Sequence, residues 1–388
     1  VSDRPGASDR AEPSRPAVPQ SRRRAAAKRA NRPVVRREIR RPRRSGVFVL
    51  ALAAAGCAAE DVGAPAYPLA GCGRLDIVDD ATGEALIGVE DFALGPDGAV
   101  WISAYDRRGE DRGRRLAGAI GRLAMDAPAP GRVMLDRDHA LVPDGGVHLP
   151  HGIDVASGAG TATLVYVNRR YDEAGRRETT VVRVDARSDE ARREPLRRSA
   201  APAPRNVNDV LASDPVLYTV DRGSPSWWFD LTGGADGRVI ELGPRGEPIE
   251  VVRGLSFANG LARVGDDVLV AETRGRRLAR VDLAAKSVTR RMPLPGGPDN
   301  LTRNTDGFVV AALHPSLWKL ALHRKLGAQH APSRAVRIDP ETGAWTLLFD
   351  DPNGAVFSGA TVAAETDGKL VLGSATDRGL LVCERRSS

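Results

Sequence analysis

From about residue 70 onward, short runs of Val, Ile, Leu, Ala and Thr alternate with turns rich in Gly, Asp and Asn. Apolar runs of that length, bounded by turn formers, predict strands, and no stretch sustains the 3.6-residue period of a long amphipathic helix. The chain therefore reads as all-β. One unit recurs six times: a short polar pair, a few apolar residues, a turn and a second apolar run. The units are VEDFALGPDGAVWIS (89–103), PHGIDVASGAGTATLVYVN (150–168), VNDVLASDPVLYTVD (207–221), ANGLARVGDDVLVAET (258–273), PDNLTRNTDGFVVAA (298–312) and SGATVAAETDGKLVLGS (358–374). Their marked residues, Glu90, His151, Asn208, Asn259, Asn300 and Gly359, follow one another at intervals of 61, 57, 51, 41 and 59. Six units of this size predict a six-bladed β-propeller of four-stranded sheets around a central channel, with segments such as 179–184 and 278–282 supplying strands farther out.

In a propeller the equivalent ends of the innermost strands meet at one face of the channel, so the phase of the repeat predicts a cluster. It would hold Glu90, Asp91, His151, Asn208, Asp209, Asn259, Asp299 and Asn300. Four carboxylates and three amides with a single imidazole and no thiolate suit a hard cation that takes six to eight oxygens, calcium before magnesium and well before zinc. Four acids at one mouth would repel unless a cation neutralised them. Any one Asx pair is explained as well by turn formation; five in phase are not.

Charge changes this picture at one end only. The chain carries 57 Lys and Arg against 50 Asp and Glu, a net +7. Residues 1–45 hold 15 basic and 4 acidic residues, which leaves 42 basic and 46 acidic, a net −4, for the rest. With only 4% aromatic residues to stack on bases, a nucleic-acid binder is not expected. Arg40, Arg41, Arg43 and Arg44 precede the uncharged run GVFVLALAAAG and then Cys57. A basic flank, a short apolar run and small residues before a processing point predict export, to a bacterial periplasm or cell envelope. Ala54, Ala55 and Gly56 before Cys57 resemble a lipoprotein box, with lipidation at Cys57 as a membrane anchor; plain cleavage nearby is the alternative. The expected organisation is a basic tail and signal over 1–57, a short linker over 58–71 and the propeller over 72–388. Cys72 and Cys383 then remain, near the two ends of the mature chain. In an exported protein the pair is the expected disulfide, and two unrelated buried thiols are the alternative.

The motifs VEDFALGPDGAVWIS, LPHGIDV, NVNDVLA, FANGL with VLVAET, PDNL with LHPS, and SGATVAAETDGKLVLG followed by LLVCE resemble, in that order, the serum paraoxonase/arylesterase family. The resemblance runs from about Cys72 to Cys383 and implies two calcium ions in the tunnel of a six-bladed propeller. By it, a catalytic calcium is held by Glu90, Asn208, Asn259, Asp299 and Asn300, and a deeper structural calcium by Asp91, Asp209 and the main-chain carbonyl of Ile153. It implies a Cys72–Cys383 disulfide, a general-base histidine at His151 and a further site histidine at His314. Two positions depart from the family: Arg169 stands where a second, supporting histidine is expected, and Arg222 where another tunnel histidine is. An arginine is no base near neutral pH, but it can orient a carboxylate or hold an acidic substrate.

The activity so implied is calcium-dependent hydrolysis of lactones or aryl esters. A cation with an open position polarises the carbonyl, and His151, or alternatively Asp299, takes the proton from water. A gluconolactonase-like sugar lactonase and a non-catalytic propeller stabilised by calcium are the other readings. The adjacent Trp227, Trp228 and Phe229 are candidates for an apolar pocket wall or a blade plug. Leu317, Trp318, Leu320, Leu322 and Leu326 predict a short helix over the channel, either a packed lid or a contact for membrane or lipophilic substrate.

Overall fold

A computed structural model describes residues 62–385 apart from 80–82, 96–97, 115–117, 124–131, 138–146, 159–160, 172–174, 176, 188–196, 205, 223–233 and 328–329. The expected tail, signal and lipidation at Cys57, and the triplet Trp227, Trp228 and Phe229, lie outside the described residues.

The strands fall into six antiparallel meanders. Blade one is β2 (Val89–Leu94), β3 (Val100–Ala104), β4 (Ala119–Leu123) and β5 (Arg132–Arg137). Blade two is β6 (Val147–Gly158), β7 (Thr161–Tyr171), β8 (Arg177–Arg187) and β9 (Arg197–Pro202). Blade three is β10 (Val207–Leu211), β11 (Leu217–Val220), β12 (Gly237–Leu242) and β13 (Pro248–Leu255). Blade four is β14 (Ala258–Val264), β15 (Asp267–Glu272), β16 (Arg277–Asp282) and β17 (Ser287–Pro293). Blade five is β18 (Gly297–Arg303), β19 (Val309–His314), β20 (Ser333–Ile338) and β21 (Trp345–Asp351). Blade six is β22 (Ala360–Thr366), β23 (Lys369–Ser374) and β24 (Leu380–Glu384), completed by β1 (Cys72–Asp79) from the other end of the chain. Each of the six repeat units read from sequence supplies the first two strands of a blade.

Blades packed face to face bury both sides of their strands, which is why these strands read as apolar runs rather than strict alternations. Among the described residues the core divides into six clusters, each between two neighbouring blades. Between blades four and five, for example, Leu269, Ala271 and Leu278 pack against Val309, Ala311 and Val336. Small and β-branched residues predominate because adjacent sheets lie close together near the axis.

Closure is made by β1. Its first half, from Cys72 to Leu75, pairs antiparallel with β24, and its second half, from Asp76 to Asp79, pairs parallel with β5. Cys72 and Cys383 stand opposite each other in this register and form a disulfide across a separation of 311 residues. The stretch before β1, expected as a linker, is in part structural. Ala66 and Tyr67 donate main-chain hydrogen bonds to Leu347 and Leu348, and the Tyr67 ring is buried in the cluster between blades five and six.

Candidate active site

The six inner strands share one irregularity, and it builds the site. In β2, β6, β10, β14, β18 and β22 the pairing with the next strand slips by one residue, between Val89 and Asp91, Pro150 and Ile153, Val207 and Val210, Ala258 and Leu261, Pro298 and Leu301, and Ala360 and Val362. A bulge places two residues opposite one and re-aims their side chains. The recurrent polar residues sit at these slips. Two of the bulges contain a glycine because the neighbouring inner strand comes too close for a side chain. A Cβ on Gly152 would lie 2.5 Å from the Cα of Asp209, and one on Gly260 would lie 2.6 Å from the main-chain nitrogen of Leu301.

The phase of the repeat predicts all of these polar groups at one mouth, whereas the resemblance implies a deeper place for Asp91, Asp209 and Ile153; the structure sorts the groups onto two levels. Glu90, His151, Asn208, Asn259 and Asp299 line a cavity of about 630 Å³ at one end of the channel. Asp91, Ile153 and Asp209 line a second cavity of about 480 Å³. The one-residue slip sends successive residues of a strand to opposite ends of the tunnel, so Glu90 and Asp91 part company, as do Asn208 and Asp209. Asn300 is buried and donates from Nδ2 to the main-chain oxygen of Glu90 at 3.0 Å, where Thr361 of blade six also donates, at 2.7 Å.

At the floor of the larger cavity His151 Nδ1 bonds the Glu90 carboxylate, and Arg107 reaches both of them. Its Nη2 lies 2.9 Å from Glu90 Oε1 and 2.9 Å from His151 Nε2. Burial alone would raise the Glu90 carboxyl, but the Arg107 guanidinium and His151 overcome it and hold it at about 2. His151 is pushed well below the usual histidine range by burial and by the charge of Arg169, so the neutral ring is the stable form. A neutral ring that donates from Nδ1 to Glu90 accepts at Nε2 from Arg107. Opposite, Asp299 bonds His314 Nε2 through Oδ2 at 2.7 Å and the Asn259 amide through Oδ1.

Sequence reasoning missed Arg107. It opens a short helix, α1 (Arg107–Asp111), which follows β3 and is capped by Asp106 accepting from the Gly109 N–H at 2.8 Å. No spacing marks it out, and among many arginines it carries no distinguishing pattern. The predicted helix over the channel is present as α2 (Leu317–Leu326), between the Ser316 N-cap and Gly327, whose φ of 66° ends it in the left-handed conformation. Leu317, Leu320, Ala321 and Arg324, one face at helical spacing, line the cavity, while Trp318 and Leu326 are exposed. Leu322 is half-buried. Asp111 ties the two helices together, 3.5 Å from both Arg324 and Lys325. Phe257, held at a φ of 65°, enters the wall beside Asn259 with the Arg274 guanidinium over its ring.

The two departures from the family pattern also lie in this wall. Arg169 is buried and donates from Nη2 to the Val207 carbonyl at 2.6 Å. Arg222 is half-buried at the rim, 4.0 Å from Asp221.

Among the described residues no group of three or more His, Cys, Asp or Glu side chains forms a metal centre by itself; any oxygen set here depends on the amides. Those amides are suited to one. Asn208 Oδ1 and Asn259 Oδ1 are buried acceptors without a donor, which a cation would satisfy. On the second level Asp91 and Asp209 are raised well above the usual carboxylate range, by burial first and then, for Asp91, by the charge of Asp209. Among the described residues each accepts from main-chain N–H groups alone, those of Ile153 and Phe92 for Asp91 and of Leu261 and Val210 for Asp209. Two buried acids of like charge also fit a cation between them.

Residues 244–385, from blade three to the end of blade six, match the family model described as Arylesterase. An adipocyte plasma membrane-associated protein of Salmo salar is 33% identical over 168 residues, 36% of this chain and 40% of that one. A strictosidine synthase-like protein of Arabidopsis thaliana is 29% identical over 151 residues, 32% of this chain and 40% of its own. The matches thus span about 40% of the length of these curated relatives. A gluconolactonase from Xanthomonas campestris overlays 84% of this chain and 99% of its own at 14% identity, with a TM-score of 0.42; at that score it adds nothing to the blades traced above. Asn259, Asp299, Asn300 and His314 fall within the matched segment, whereas Glu90, His151 and Asn208 precede it. The resemblance read from the motifs is therefore to the arylesterase family, carried in sequence by residues 244–385.

Proposed function

We propose that the larger cavity hydrolyses a carboxylic ester, a lactone or an aryl ester. The observation that carries this reading is the convergence of Glu90, His151, Asn208, Asn259 and Asp299 from five blades on one floor, with two amide oxygens left without donors. The match to the arylesterase family model supports it.

Glu90, Asn208, Asn259, Asp299 and Asn300 are the residues that would hold a catalytic calcium, and Asp91, Asp209 and the Ile153 carbonyl a second one. When bound, the first supplies a Lewis acid for the carbonyl oxygen. The side chains divide the remaining work. Asp299, held by His314 Nε2, is the group placed to accept the proton of the attacking water. His151 has its Nε2 engaged by Arg107, so in this arrangement it positions Glu90 and Arg107 rather than acting as base. The α2 face of Leu317 and Leu320 gives the cavity an apolar side.

A hydrophilic sugar lactone is a second reading, favoured by the charged wall. The test is turnover of a panel of aliphatic lactones, sugar lactones and aryl esters, before and after exhaustive chelation. No turnover of any member would sink the hydrolytic reading; full activity after chelation would sink the calcium. The same proposal includes export and lipidation at Cys57, checked by the mass of the mature N-terminal peptide.

A further inference from the structure

Arg169 is the buried charge that the proposed chemistry does not use. It is 7% exposed, lines the larger cavity from β7, and makes two hydrogen bonds, from Nη2 to the Val207 carbonyl at 2.6 Å and from Nη1 to the Tyr105 hydroxyl at 3.5 Å. Among the described residues no carboxylate pairs with it, and its Nε, like those of Arg107 and Arg177, is buried without an acceptor. Its neighbours differ. Arg107 is matched by Glu90 at 2.9 Å, and Arg177, on the same wall, by Glu110 at 3.8 Å. Of these three neighbouring guanidiniums, Arg169 is the one that no carboxylate meets at ion-pair distance among the described residues. Burial and the charges of Arg107 and Arg177 outweigh Tyr105 and Glu90 and disfavour its charged form, and a buried charge of this kind needs a counter-ion.

We propose that Arg169 is the anion-binding residue of the substrate pocket, and that the preferred substrate is an ester or lactone whose acyl portion carries a free carboxylate. This rests on the hydrolytic reading of the same cavity. A guanidinium without a carboxylate partner calls for an anion, and the planar carboxylate fits its planar fork; inorganic phosphate is the competing anion. In the reaction, water adds its oxygen to the acyl carbon, the acyl C–O bond breaks and the proton passes to the leaving oxygen. Arg169 takes no part in that exchange and acts by holding the far end of the acyl chain.

The experiment compares mono(4-nitrophenyl) glutarate with its neutral methyl ester on the full exported domain. The wild-type protein is expected to favour the anion at least tenfold in kcat/KM, mostly through KM, with the preference shrinking as salt is raised. Arg169→Leu is expected to bring the ratio to about one, and Arg169→Lys to retain part of it. A wild-type ratio at or below one, or a ratio unchanged in Arg169→Leu, overturns the proposal. Should Arg169→Leu fail to fold, Arg169→Gln carries the same comparison. If neither ester is turned over, the hydrolytic reading fails by itself and calorimetry with free glutarate decides the subsite. Binding that weakens at least tenfold in the Arg169 variants supports it, and no binding by the wild type overturns it. Inorganic phosphate binding more tightly than glutarate overturns the choice of carboxylate.

Discussion

Arg107 donates to Nε2 of His151 at 2.9 Å while the other ring nitrogen bonds Glu90, so both nitrogens of this imidazole are engaged. The guanidinium comes from α1, outside the repeat, and brings a fixed positive charge to the place where a cation is proposed. Removing it should deepen the negative potential of the floor. Arg107→Met is therefore expected to bind calcium roughly tenfold or more tightly than the wild type, a unit charge at this range being worth that much even at a generous effective dielectric. Calorimetric titration of both proteins with calcium checks it, and equal affinities would count against a cation beside Glu90.

The second level lends itself to a crossover. Asp91 and Asp209 oppose each other when no cation is present, so Asp209→Asn, whose one carbonyl oxygen keeps an acceptor for one of the Leu261 and Val210 N–H donors, should be as stable as the wild type or more so in chelator. With calcium at a hundredfold over its dissociation constant the order should reverse, because only the intact pair gains about 2.7 kcal/mol from the ion. Thermal unfolding of both proteins in the two buffers reads this directly.

Glu272, which does not line the cavity, supplies a pH test. Its side chain is fully buried at the end of β15, where Arg277 at 2.7 Å, Arg291 at 3.0 Å and the Ser256 N–H at 2.8 Å converge on it. Burial would raise this carboxyl, yet those partners hold it below the usual carboxylate range. A group whose folded value is depressed stabilises the protein above the unfolded value, about 4.3 for Glu, and loses that contribution as pH falls through the folded one. Glu272→Gln should cost about 1–3 kcal/mol at pH 7. The difference between variant and wild type should narrow below about pH 4.

The disulfide between Cys72 and Cys383 joins the two ends of the ring. In the chain-entropy model a loop of this length restricts the unfolded chain by about 4–5 kcal/mol. Cys72→Ser with Cys383→Ser should lower the melting temperature by about 5–10 °C. The blades should stay intact, because the β1–β24 ladder and the cluster beneath it remain. Circular dichroism against temperature checks both halves of this prediction.

The repeat was legible because the blades spend their polar residues at the same bulge, so Glu90, Asn208, Asn259 and the Asp299–Asn300 pair recur along the chain. What that phase does not carry is direction. Neighbours such as Asn208 and Asp209 are adjacent in sequence whether they share a cavity or part to two, and the slip that separates them becomes visible only in the strand register. Arg107 was beyond reach for a different reason. It arrives from a short helix between two strands, and a long-range approach to Glu90 leaves no local spacing. Tyr67 was missed likewise: a lone aromatic in a Pro- and Ala-rich stretch gives no periodicity, yet its ring is buried against blades built nearly three hundred residues later.

The strand β1 borders two blades at once, with β24 along its first half and β5 along its second. Synthesis releases β1 first and β24 last, so for most of the time the chain is being made the ring has an open seam that no local contact can mend. Pairing across so great a separation is slow, and the unpaired edge invites wrong partners meanwhile. Completeness is thereby built into closure: a chain cut short of Leu380 leaves half of β1 without a ladder and cannot pass for a finished molecule.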